Sequence, residues 1–431
     1  MRSKSLQSAT LVIKGGTVVD STGERVADVV IENSFVKEIG KNLGGDSTLD
    51  ASGCIVSPGF VDLHTHMREP GHEDCETIAT ASRAGALGGY TALVAMPNTD
   101  PAQDNVAVVE FVREQGRRAG LVDVLPSGCI TVGRQGLALA PMAELAKVGV
   151  QIFTDDGNGV QDPVLMRRAM EYAKGLGITL AQHCEVASLT LGAAMNECCC
   201  SSDMGVPGWP ALAEELMVAR DIDLVRLTGA PMHFLHLSTA RSVGLVRAAK
   251  AEGLPITAEV TPHHLSLTQE LLCGFDPVYK VNPPLRSIAD VLALKAGVLD
   301  GTIDAIATDH APHARRDKEL PLDQAPPGML GLETALGVVL SCLDLPITQV
   351  VALLSLRPAR IANAAEHGND VAAGARANLC VFDPQIAWRV DPKQLASKST
   401  NTPFVGRQLR GKVRHTIFNG DPVVIDGEAK R

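Results

Sequence analysis

The sequence predicts an α/β protein, in which a parallel (β/α)8 barrel of the TIM type carries a small β-sandwich made from both ends of the chain. Eight strand-length apolar runs alternate with helical runs over about 300 residues, which is the pattern of such a barrel. Short alternating runs, separated by Gly, Asn and Asp, flank that region on both sides. The glycine fingerprint that an open doubly wound sheet carries after its first strand is absent. We therefore expect residues 58–365 to form the barrel, and residues 1–57 and 366–431 to form the two parts of the sandwich.

The two terminal segments both have the texture of β structure. The first runs from about Thr10 to Cys54, and the second contains the strand-like runs Gly374–Asp383 and Val413–Asp421. Neither segment is large enough to bury a core alone. We therefore expect the two to pack together as one sandwich.

The central region alternates between strands and amphipathic helices. Its first strand is expected within the apolar run Ile55–Leu63, and a helix should follow, ended by Gly88. The helices expected are Glu76–Leu87, Asn105–Arg118, Asp162–Lys174, Pro210–Leu227, Ala240–Glu252 and Ile288–Leu299. The extended segments expected between them include Tyr90–Met96, Val122–Thr131 and Ile256–Val260.

Composition and charge exclude several classes of function. The formal net charge is -10 and no cluster of Lys and Arg forms a basic stripe, which argues against a nucleic acid or an anionic membrane as a partner. No apolar stretch is long enough to span a bilayer, and residues 1–5 are not followed by the apolar region of a signal peptide. The ten cysteines follow no regular framework, and we interpret Cys198–Cys200 as part of a reduced loop. These features predict a cytoplasmic enzyme.

Two histidines separated by one residue, His64 and His66, end the run Ile55–Leu63. On a strand, side chains at i and i+2 point to the same face, so both imidazoles would project together from the carboxyl end of the strand. Two convergent neutral imidazoles suit a divalent transition metal. Such a pair also occurs by chance, and its meaning depends on ligands at other strand ends.

Further ligand-type residues follow later apolar runs of strand length. Because the active site of a parallel barrel lies at the carboxyl ends of its strands, all of these side chains should gather at one rim. Four imidazoles and two carboxylates exceed the needs of one tetrahedral zinc ion, and they suit two metal ions about 3.5–4 Å apart that share a carboxylate. The residues that follow the runs are Asp155 or Asp156, His183, His236 and Asp309.

A family resemblance rests on motifs spread over the whole chain. The string P-G-F-V-D-L-H-T-H-M-R-E-P-G from Pro58 resembles the opening motif of dihydroorotases in the amidohydrolase superfamily. R-E-P-G together with A-T-D-H-A-P-H at Ala307 is specific to dihydroorotases and their closest relatives, whereas H-x-H is shared by many hydrolases. The other matching strings, in order, are M-P-N-T at Met96, T-D-D-G at Thr154, H-C-E at His183 and V-N-P-P-L-R at Val281.

The resemblance implies a zinc site with two ions in each subunit. His64, His66 and Asp309 would hold one ion, and His183 and His236 the other. Many members of the superfamily bridge the ions with a carboxylated lysine, but no lysine stands at that point here. The chain is most similar to the class I, aspartate-bridged dihydroorotases, and alignment to Gly157 then selects Asp156 as the bridge. Asp155 should point to the opposite face of the strand.

The resemblance also implies roles in catalysis and in substrate binding. Asp309 would accept the proton from a water that zinc activates and pass it to the leaving amide nitrogen. Arg68 would hold the carboxylate of the substrate as a bidentate fork. The segment from His310 to Gly331 is rich in Pro, Gly and charge and is expected to be a mobile loop over the site, although this chain has Pro327 where relatives often carry Phe. The complete set of substrate-binding residues implied is His66, Met67, Arg68, Asn98, Asn282, His313, Pro327 and Gly328.

Two other functions compete with dihydroorotase. Another cyclic amidase, such as a dihydropyrimidinase, hydantoinase or allantoinase, would not need Arg68, because its substrates carry no carboxylate. A silent homologue that scaffolds aspartate transcarbamoylase should have lost metal ligands, and all six are present. The resemblance also implies a homo-oligomer and leaves open an assembly of the active enzyme with aspartate transcarbamoylase. His263 and His264 are interpreted as structural, and His233 receives no functional role.

Overall fold

The computed structural model describes residues 9–430, so the expectation about a signal peptide at residues 1–5 lies outside the described residues. Within this range the chain is a mixed α/β protein. Its strands are β1 Leu11–Lys14, β2 Thr17–Asp20, β3 Gly23–Val26, β4 Asp28–Glu32, β5 Phe35–Gly40, β6 Ser47–Asp50, β7 Ile55–Pro58, β8 Phe60–Thr65, β9 Tyr90–Ala95, β10 Asp123–Pro126, β11 Ile152–Phe153, β12 Thr179–Gln182, β13 Met195–Asn196, β14 Gly208–Trp209, β15 Met232–Phe234, β16 Ile256–Val260, β17 Ala305–Ile306, β18 Leu379–Arg389, β19 Gln408–Phe418, β20 Asp421–Ile425 and β21 Glu428–Ala429.

The helices lie mainly between the central strands. Short 3-10 turns and one π-helical turn, Ala352–Leu356, complete the helical structure. The α-helices are α1 Ile78–Leu87, α2 Val106–Ala119, α3 Met142–Lys147, α4 Pro163–Leu176, α5 Ala187–Thr190, α6 Cys199–Met204, α7 Leu212–Thr228, α8 Ala240–Ala251, α9 Ile288–Leu299, α10 Arg315–Lys318, α11 Ala335–Cys342, α12 Ile347–Val351 and α13 Arg357–Ile361.

The central strands form two parallel sheets that meet at both of their edges. One sheet has the order β10-β9-β8 and the other β11-β12-β15-β16-β17. Isolated parallel bridges connect Gly128 with Phe153 at one junction and Thr65 with His310 at the other. The carboxyl ends of eight parallel strands therefore lie around one rim, which is where sequence analysis expected the ligands.

Local hydrogen bonds and a left-handed glycine set the ends of the helices. Helix α2 begins where the Asn105 side chain accepts a hydrogen bond from the amide of Val108, and it ends at Gly120 with φ 62°. Helix α9 begins with reciprocal bonds between Ser287 and Asp290, and it covers the same residues as the predicted helix. The other predicted helices exist, with ends displaced by one or two residues.

The run Ile55–Leu63, within which the first barrel strand was expected, contains two strands. The chain breaks at Gly59 into β7, which pairs with β2 and β18 in the terminal sheet, and β8, which pairs with β9 in the parallel sheet. A Cβ atom at Gly59 would lie 2.2 Å from the Thr91 side chain, so only glycine allows this close passage. The extended segment predicted for Val122–Thr131 is likewise shorter and is a strand only over β10.

Both ends of the chain contribute strands to the terminal sheets. A four-stranded sheet has the order β5-β4-β1-β6, and a seven-stranded sheet has the order β21-β20-β19-β18-β7-β2-β3. A separate apolar cluster is shared by the two sheets and combines N-terminal side chains such as Ile13 and Val29 with C-terminal ones such as Val381 and Ile417. The N-terminal strands therefore share their core with the C-terminal strands.

The cysteine expectation needs a correction. Cys200 lies in helix α6 and its Sγ is 2.07 Å from that of Cys273, so these two form a disulfide and not a reduced loop. Cys198 and Cys199 remain free thiols. Within residues 9–430, no helix has the length and apolar character needed to cross a membrane.

Candidate functional site

Four imidazoles meet at the rim formed by the carboxyl ends of the central strands. His64 lies on β8 and His66 directly follows it, whereas His183 follows β12 and His236 follows β15. The ring centroid of His64 is 5.2 Å from that of His66 and 5.1 Å from that of His236. His183 and His236 are separated by 4.8 Å, and all four side chains are buried.

Two carboxylates stand among these imidazoles. Asp156 Oδ1 lies 3.4 Å from His64 Nε2, 3.4 Å from His183 Nδ1 and 3.5 Å from His236 Nε2. Asp156 Oδ2 is 3.5 Å from His66 Nε2. Asp309 Oδ1 lies 3.1 Å from His66 Nε2 and 3.5 Å from His64 Nε2. The structure therefore brings together all six side chains predicted as metal ligands.

The arrangement fits two metal ions that share one carboxylate. His64, His66 and Asp156 form one group with converging ligand atoms, and Asp156, His183 and His236 form a second. Ligand atoms about 2.1 Å from a tetrahedral ion lie about 3.4 Å from each other, which is the spacing found here. His64 Nε2 and Asp156 Oδ1 are buried and have no hydrogen-bond partner within residues 9–430. Such groups rarely stay unpaired in a protein interior unless a ligand completes them.

The charges of the cluster are strongly coupled. Burial alone would lower the pKa of His64, but the carboxylates of Asp156 and Asp309 raise that pKa well above its usual value. Burial would raise the pKa of Asp156, yet the charge of His64 and the close imidazoles of His183 and His236 hold it well below its usual value. The pKa of His183 is raised to about 9, against the effect of burial, by Asp156 and Glu185. The buried carboxylates therefore favour positive charge at the centre of this cluster, and divalent ions bound there would supply it.

A buried carboxylate orients His64 from behind. Glu259 lies in the middle of β16, with Oε1 3.0 Å from His64 Nδ1 and Oε2 3.0 Å from His233 Nε2. Burial would raise the pKa of Glu259, but these two imidazoles lower it to about 2. A neutral His64 that donates its Nδ1 proton to Glu259 turns its Nε2 lone pair toward Asp156. Sequence analysis missed both Glu259 and His233.

Glu185 has the same function toward His183. Its Oε2 lies 3.0 Å from His183 Nε2 and accepts a hydrogen bond of 3.3 Å from Asn282 Nδ2, while Thr190 donates to the other oxygen. Asn282 Oδ1 remains buried without a partner in the described part of the chain. One carboxylate therefore fixes both an imidazole of the cluster and an amide that faces the cavity.

A cavity of about 250 Å³ opens over the cluster. Pro327 and Gly328 lie in its wall. Arg134, which was not predicted, also lies in the wall, and its side chain donates to the carbonyl oxygen of Asp156. Met67 is not part of this wall, because its side chain is buried in the main hydrophobic core. The predicted residues that do line the cavity are His66, Asn98, Asp156, His183, His236, Asn282, Asp309, Pro327 and Gly328.

Arg68 carries a guanidinium that no carboxylate of residues 9–430 pairs with. Its Nε donates to the carbonyl oxygen of Pro312 at 3.1 Å, and Nη2 lies 3.4 Å from His313 Nε2. Burial lowers the pKa of His313 to about 3, and the charge of Arg68 acts in the same direction. The guanidinium therefore lies beside a neutral imidazole without a paired carboxylate, so an anionic ligand would be a favourable partner for it.

Asn98 and Asn401 complete this side of the site. Asn98 Oδ1 lies 2.9 Å from His66 Nδ1, so it orients the second imidazole of the H-x-H pair. Asn401 comes from the C-terminal segment and donates to the carbonyl oxygens of Ala311 at 3.0 Å and Gly328 at 3.1 Å. No motif in the sequence pointed to Asn401.

Asp155 and His264 lie near the rim and have hydrogen-bond partners outside the cluster. Asp155 accepts hydrogen bonds from the amides of Ile130 and Thr131 and does not face the cluster. His264 lies 3.0 Å from the carbonyl oxygen of Pro283, and neither it nor His263 belongs to the metal-compatible groups. These positions agree with the structural interpretation of the three residues.

The sequence is similar to those of known proteins over nearly its whole length. A family model described as Dihydro-orotase-like matches residues 53–242. A dihydroorotase of Streptomyces coelicolor is 47% identical over 425 residues, which cover 97% of this chain and 99% of the relative. A dihydroorotase of Mycobacterium tuberculosis is 45% identical over 417 residues, which cover 95% of this chain and 97% of the relative.

Solved structures give a second comparison. An L-hydantoinase (dihydropyrimidinase) from Arthrobacter aurescens has a TM-score of 0.87 at 24% identity, with 98% of each chain covered. A D-hydantoinase from Bacillus sp. AR9 has a TM-score of 0.83 at 24% identity, with 97% of this chain and 96% of the other covered. At these identities the structural matches support the fold alone.

Proposed function

The chain belongs to the dihydroorotase family, and from this premise we propose that it catalyses the reversible cyclisation of N-carbamoyl-L-aspartate to (S)-dihydroorotate in the de novo biosynthesis of pyrimidines (UMP). The protein is a cyclic amidohydrolase with a small-molecule substrate. In the hydrolytic direction, water adds to the ring carbonyl carbon, the bond from that carbon to nitrogen breaks, and the nitrogen takes up a proton. In the biosynthetic direction, the ureido nitrogen attacks the side-chain carboxyl group and water leaves.

The choice of substrate rests on the guanidinium of Arg68. This group lies beside the histidine and aspartate cluster and has no carboxylate partner within residues 9–430. A partly buried cation that is not paired with a protein carboxylate favours a substrate that brings its own carboxylate. Dihydroorotate and N-carbamoyl-L-aspartate both have a carboxylate that does not react. Dihydrouracil and allantoin lack it, so a hydantoinase or allantoinase would leave Arg68 without a partner. The hydantoinases among the solved structures therefore support the fold and not the substrate.

The cofactor proposed is zinc, with two ions in each subunit bridged by Asp156. His64, His66 and Asp309 would hold one ion, and His183 and His236 the other, a division supported by the two groups that share Asp156. Bound at these ligands, divalent ions lower the pKa of water and polarise a carbonyl group. An aspartate is a shorter bridge than a carboxylated lysine, so we expect the second ion to be held more weakly. Two equally tight equivalents in a metal analysis would contradict that expectation.

Asp309 is the proposed proton carrier. Its Oδ1 lies 3.1 Å from His66 Nε2 at the edge of the cavity. Burial would raise the pKa of Asp309, but the charge of His64 and a hydrogen bond from His66 lower it below its usual value, so the side chain is an ionised carboxylate. It would take the proton of water and give it to the leaving ring nitrogen, and it would act in reverse during cyclisation.

The remaining site residues would hold the substrate in place. Arg68, Asn98 and His313 would bind the carboxylate, while the buried Asn282 Oδ1 without a partner suits a ring or ureido N–H. Main-chain groups at Pro327 and Gly328 would complete the enclosure, and Met67 would contribute only through its main chain, since its side chain is buried in the core.

The proposal extends to the architecture of the enzyme, its cellular location and its assembly. The eight parallel strands, with bridges at both sheet junctions, support a closed (β/α)8 barrel over residues 58–365. The mixed seven-stranded sheet supports a sandwich of residues 1–57 and 366–431. A cytoplasmic location, a homo-oligomer and an assembly with aspartate transcarbamoylase stay predictions from the sequence.

The proposed function can be tested by following substrate absorbance with the purified, zinc-loaded protein. Dihydroorotate, dihydrouracil and allantoin would be offered in parallel. We expect turnover of dihydroorotate alone, lost in Asp309→Ala, while Asp162→Ala, which changes only a helix cap, keeps the activity. Turnover of dihydrouracil or allantoin in place of dihydroorotate would make the protein another cyclic amidase. No turnover of any substrate would favour the silent scaffold.

A further inference from the structure

Two buried ammonium groups lie inside the segment that covers the cavity. Lys318 ends helix α10 and is only 9% exposed, and its Nζ donates to the carbonyl oxygens of Lys280, Pro326 and Gly328 at 3.3, 3.0 and 3.2 Å. Lys280 is 7% exposed, and its Nζ donates to the carbonyl oxygen of Leu322 at 2.6 Å. The segment 318–328 is therefore folded around two cations.

Neither ammonium group forms an ion pair within residues 9–430. Lysine is rarely this buried without a carboxylate, because removing its charge from water costs free energy that only several good acceptors can offset. Burial lowers the pKa of Lys318 to about 7, and the charge of Lys280 acts in the same direction. The three carbonyl oxygens around Nζ favour the charged form and oppose this shift.

The carbonyl groups that Lys318 collects belong to the wall of the substrate cavity. Pro327 and Gly328 line that cavity, and the carbonyl oxygen of Gly328 also accepts from Asn401. The Pro327 carbonyl oxygen lies 2.8 Å from His313 Nε2. A Cβ atom at Gly328 would lie 2.6 Å from the same Nε2, so this main chain touches the imidazole without spare room. The position of the segment thus decides where His313 and its neighbour Arg68 stand.

We propose that Lys318 is a positioning residue for the substrate carboxylate, because its ammonium group turns the carbonyl oxygens of Pro326 and Gly328 inward, away from the anion that Arg68 and His313 bind. A carbonyl oxygen that faced the carboxylate would repel it, because both groups carry negative charge on oxygen. Lys280 supports the arrangement from the other side, since its own carbonyl oxygen accepts both from Lys318 and from the amide of Gly328 at 2.9 Å. The proposal rests on the proposed function, because it assumes a substrate with a carboxylate.

The test is the kinetics of Lys318→Met and Lys318→Gln with dihydroorotate and N-carbamoyl-L-aspartate. Met fills the space without charge, and Gln keeps a donor at reduced length. We expect Lys318→Met to raise KM for both substrates about tenfold or more, with kcat within about threefold and metal content unchanged, and Lys318→Gln to give a smaller rise. A KM within about twofold of the parent enzyme in either folded variant, or a loss confined to kcat, overturns the proposal.

A matched control and a second measurement separate this proposal from the proposed function. Lys174→Met removes another ammonium group that donates to a carbonyl oxygen, that of Thr228 at 2.8 Å on the outer helices, and should leave KM unchanged. Trypsin cleavage at Arg315 and Arg316 reports the order of the segment without any turnover. We expect faster cleavage in Lys318→Met than in the parent protein and in Lys174→Met. If the parent protein does not turn over dihydroorotate, the proposed function fails, and equal cleavage rates would then overturn the role of Lys318 as well.

Discussion

Three of the candidate site residues adopt backbone angles that L-amino acids rarely use. Arg68, His236 and Asp309 have φ values of 63°, 28° and 46°. Each such conformation costs on the order of 1–3 kcal/mol and persists only where the surrounding contacts impose it. All three follow directly after central strands, where a sharp change of direction turns the side chain over the rim. The strain therefore lies where the chemistry is proposed.

Arg68→Met should weaken substrate binding while leaving the metal cluster intact. Loss of charged hydrogen bonds worth about 1.5–3 kcal/mol should raise KM for dihydroorotate roughly tenfold to a hundredfold. Arg68→Lys should recover only part of this, because an ammonium group cannot form the bidentate fork. Steady-state kinetics with metal analysis is the measurement, with Arg167→Met on an outer helix as control. An unchanged KM would exclude Arg68 from carboxylate binding.

Glu259→Gln should lower the metal affinity of the cluster without changing the contacts proposed for the substrate. The variant loses the negative charge that orients His64 and His233, and such changes reduce metal affinity by about 10- to 100-fold. Competition with a chelator measures this affinity directly. Asp20→Asn is a suitable control, because that carboxylate is also buried but contacts Thr22 and Arg25 in the terminal sheet. Equal affinities in the two variants would contradict the role given to Glu259.

Among single residues, those that end an apolar run were placed correctly at the rim from the sequence. His64, His183 and Asp309 each stand at such an end, so strand geometry alone brings them to one rim. Glu259 and His233 were missed because they lie within strands and resemble interruptions of a core pattern. A charged residue inside a short barrel strand was the available signal, since it needs a buried partner.

Among the elements, the junction of β7 and β8 has the strongest effect on the position of the site. Gly59 donates its amide proton to the carbonyl oxygen of Asn378, and its own carbonyl oxygen accepts from Ser355 Oγ at 2.7 Å. The junction thus ties β8, which carries His64, to the C-terminal segment and to the turn before α13. One residue connects the terminal sheet with the first strand of the rim.

Gly59→Ala should destabilise the protein without altering the ligands themselves. The added methyl group would overlap the Thr91 side chain, and overpacking of this kind costs about 1–3 kcal/mol. The melting temperature of the metal-loaded protein should therefore fall. Gly44→Ala is the control, because a Cβ atom there meets nothing within 4 Å. Equal melting temperatures for the two variants would show that the junction has room to relax.

Element boundaries were less predictable than element types. Helix α9 was predicted to the residue, and Ser287 and Asp290 mark its start. The Pro58-Gly59 pair in the run Ile55–Leu63 indicates a turn, but it does not identify the partners of the strands on either side. That break depends on strand partners far away in the chain, among them β18. Local pattern alone carries no information about such partners.

On the scale of the whole molecule, buried carboxyl groups attach the C-terminal segment to the barrel strands and helices. Glu76 accepts from the amide of Lys398 at 3.0 Å and from the Ser397 hydroxyl. Glu333, just before helix α11, accepts from the amide of Ala396 at 2.8 Å. The same segment continues to Asn401, so its attachment affects the loop over the cavity.

The stability of this attachment should depend on pH through Glu333. Burial raises the pKa of Glu333 from 4.5 to about 7, so between these values the folded protein keeps a proton that the unfolded chain releases. Its contribution to stability is full below about pH 4.5 and is lost as the pH rises through 7, by on the order of 2–3 kcal/mol. Melting temperatures of the parent protein and Glu333→Gln at pH 5 and pH 8 test this. The melting temperature of the variant, relative to that of the parent protein, should be higher at pH 8 than at pH 5. An equal difference in melting temperature at both pH values would contradict the raised pKa of Glu333.

The pairing of β7 with β18 can form only late in the synthesis of the chain. Residues 55–58 leave the ribosome about 320 residues before their neighbours at 379–382, a delay of roughly 15–60 s at 5–20 residues per second. During that time the edge of β7 has unsatisfied backbone groups that can pair with another nascent chain. Polysomes that carry several copies bring such edges close together. The yield of native protein should therefore depend on how quickly residues 59–382 are translated and on chaperones that shield this edge until then.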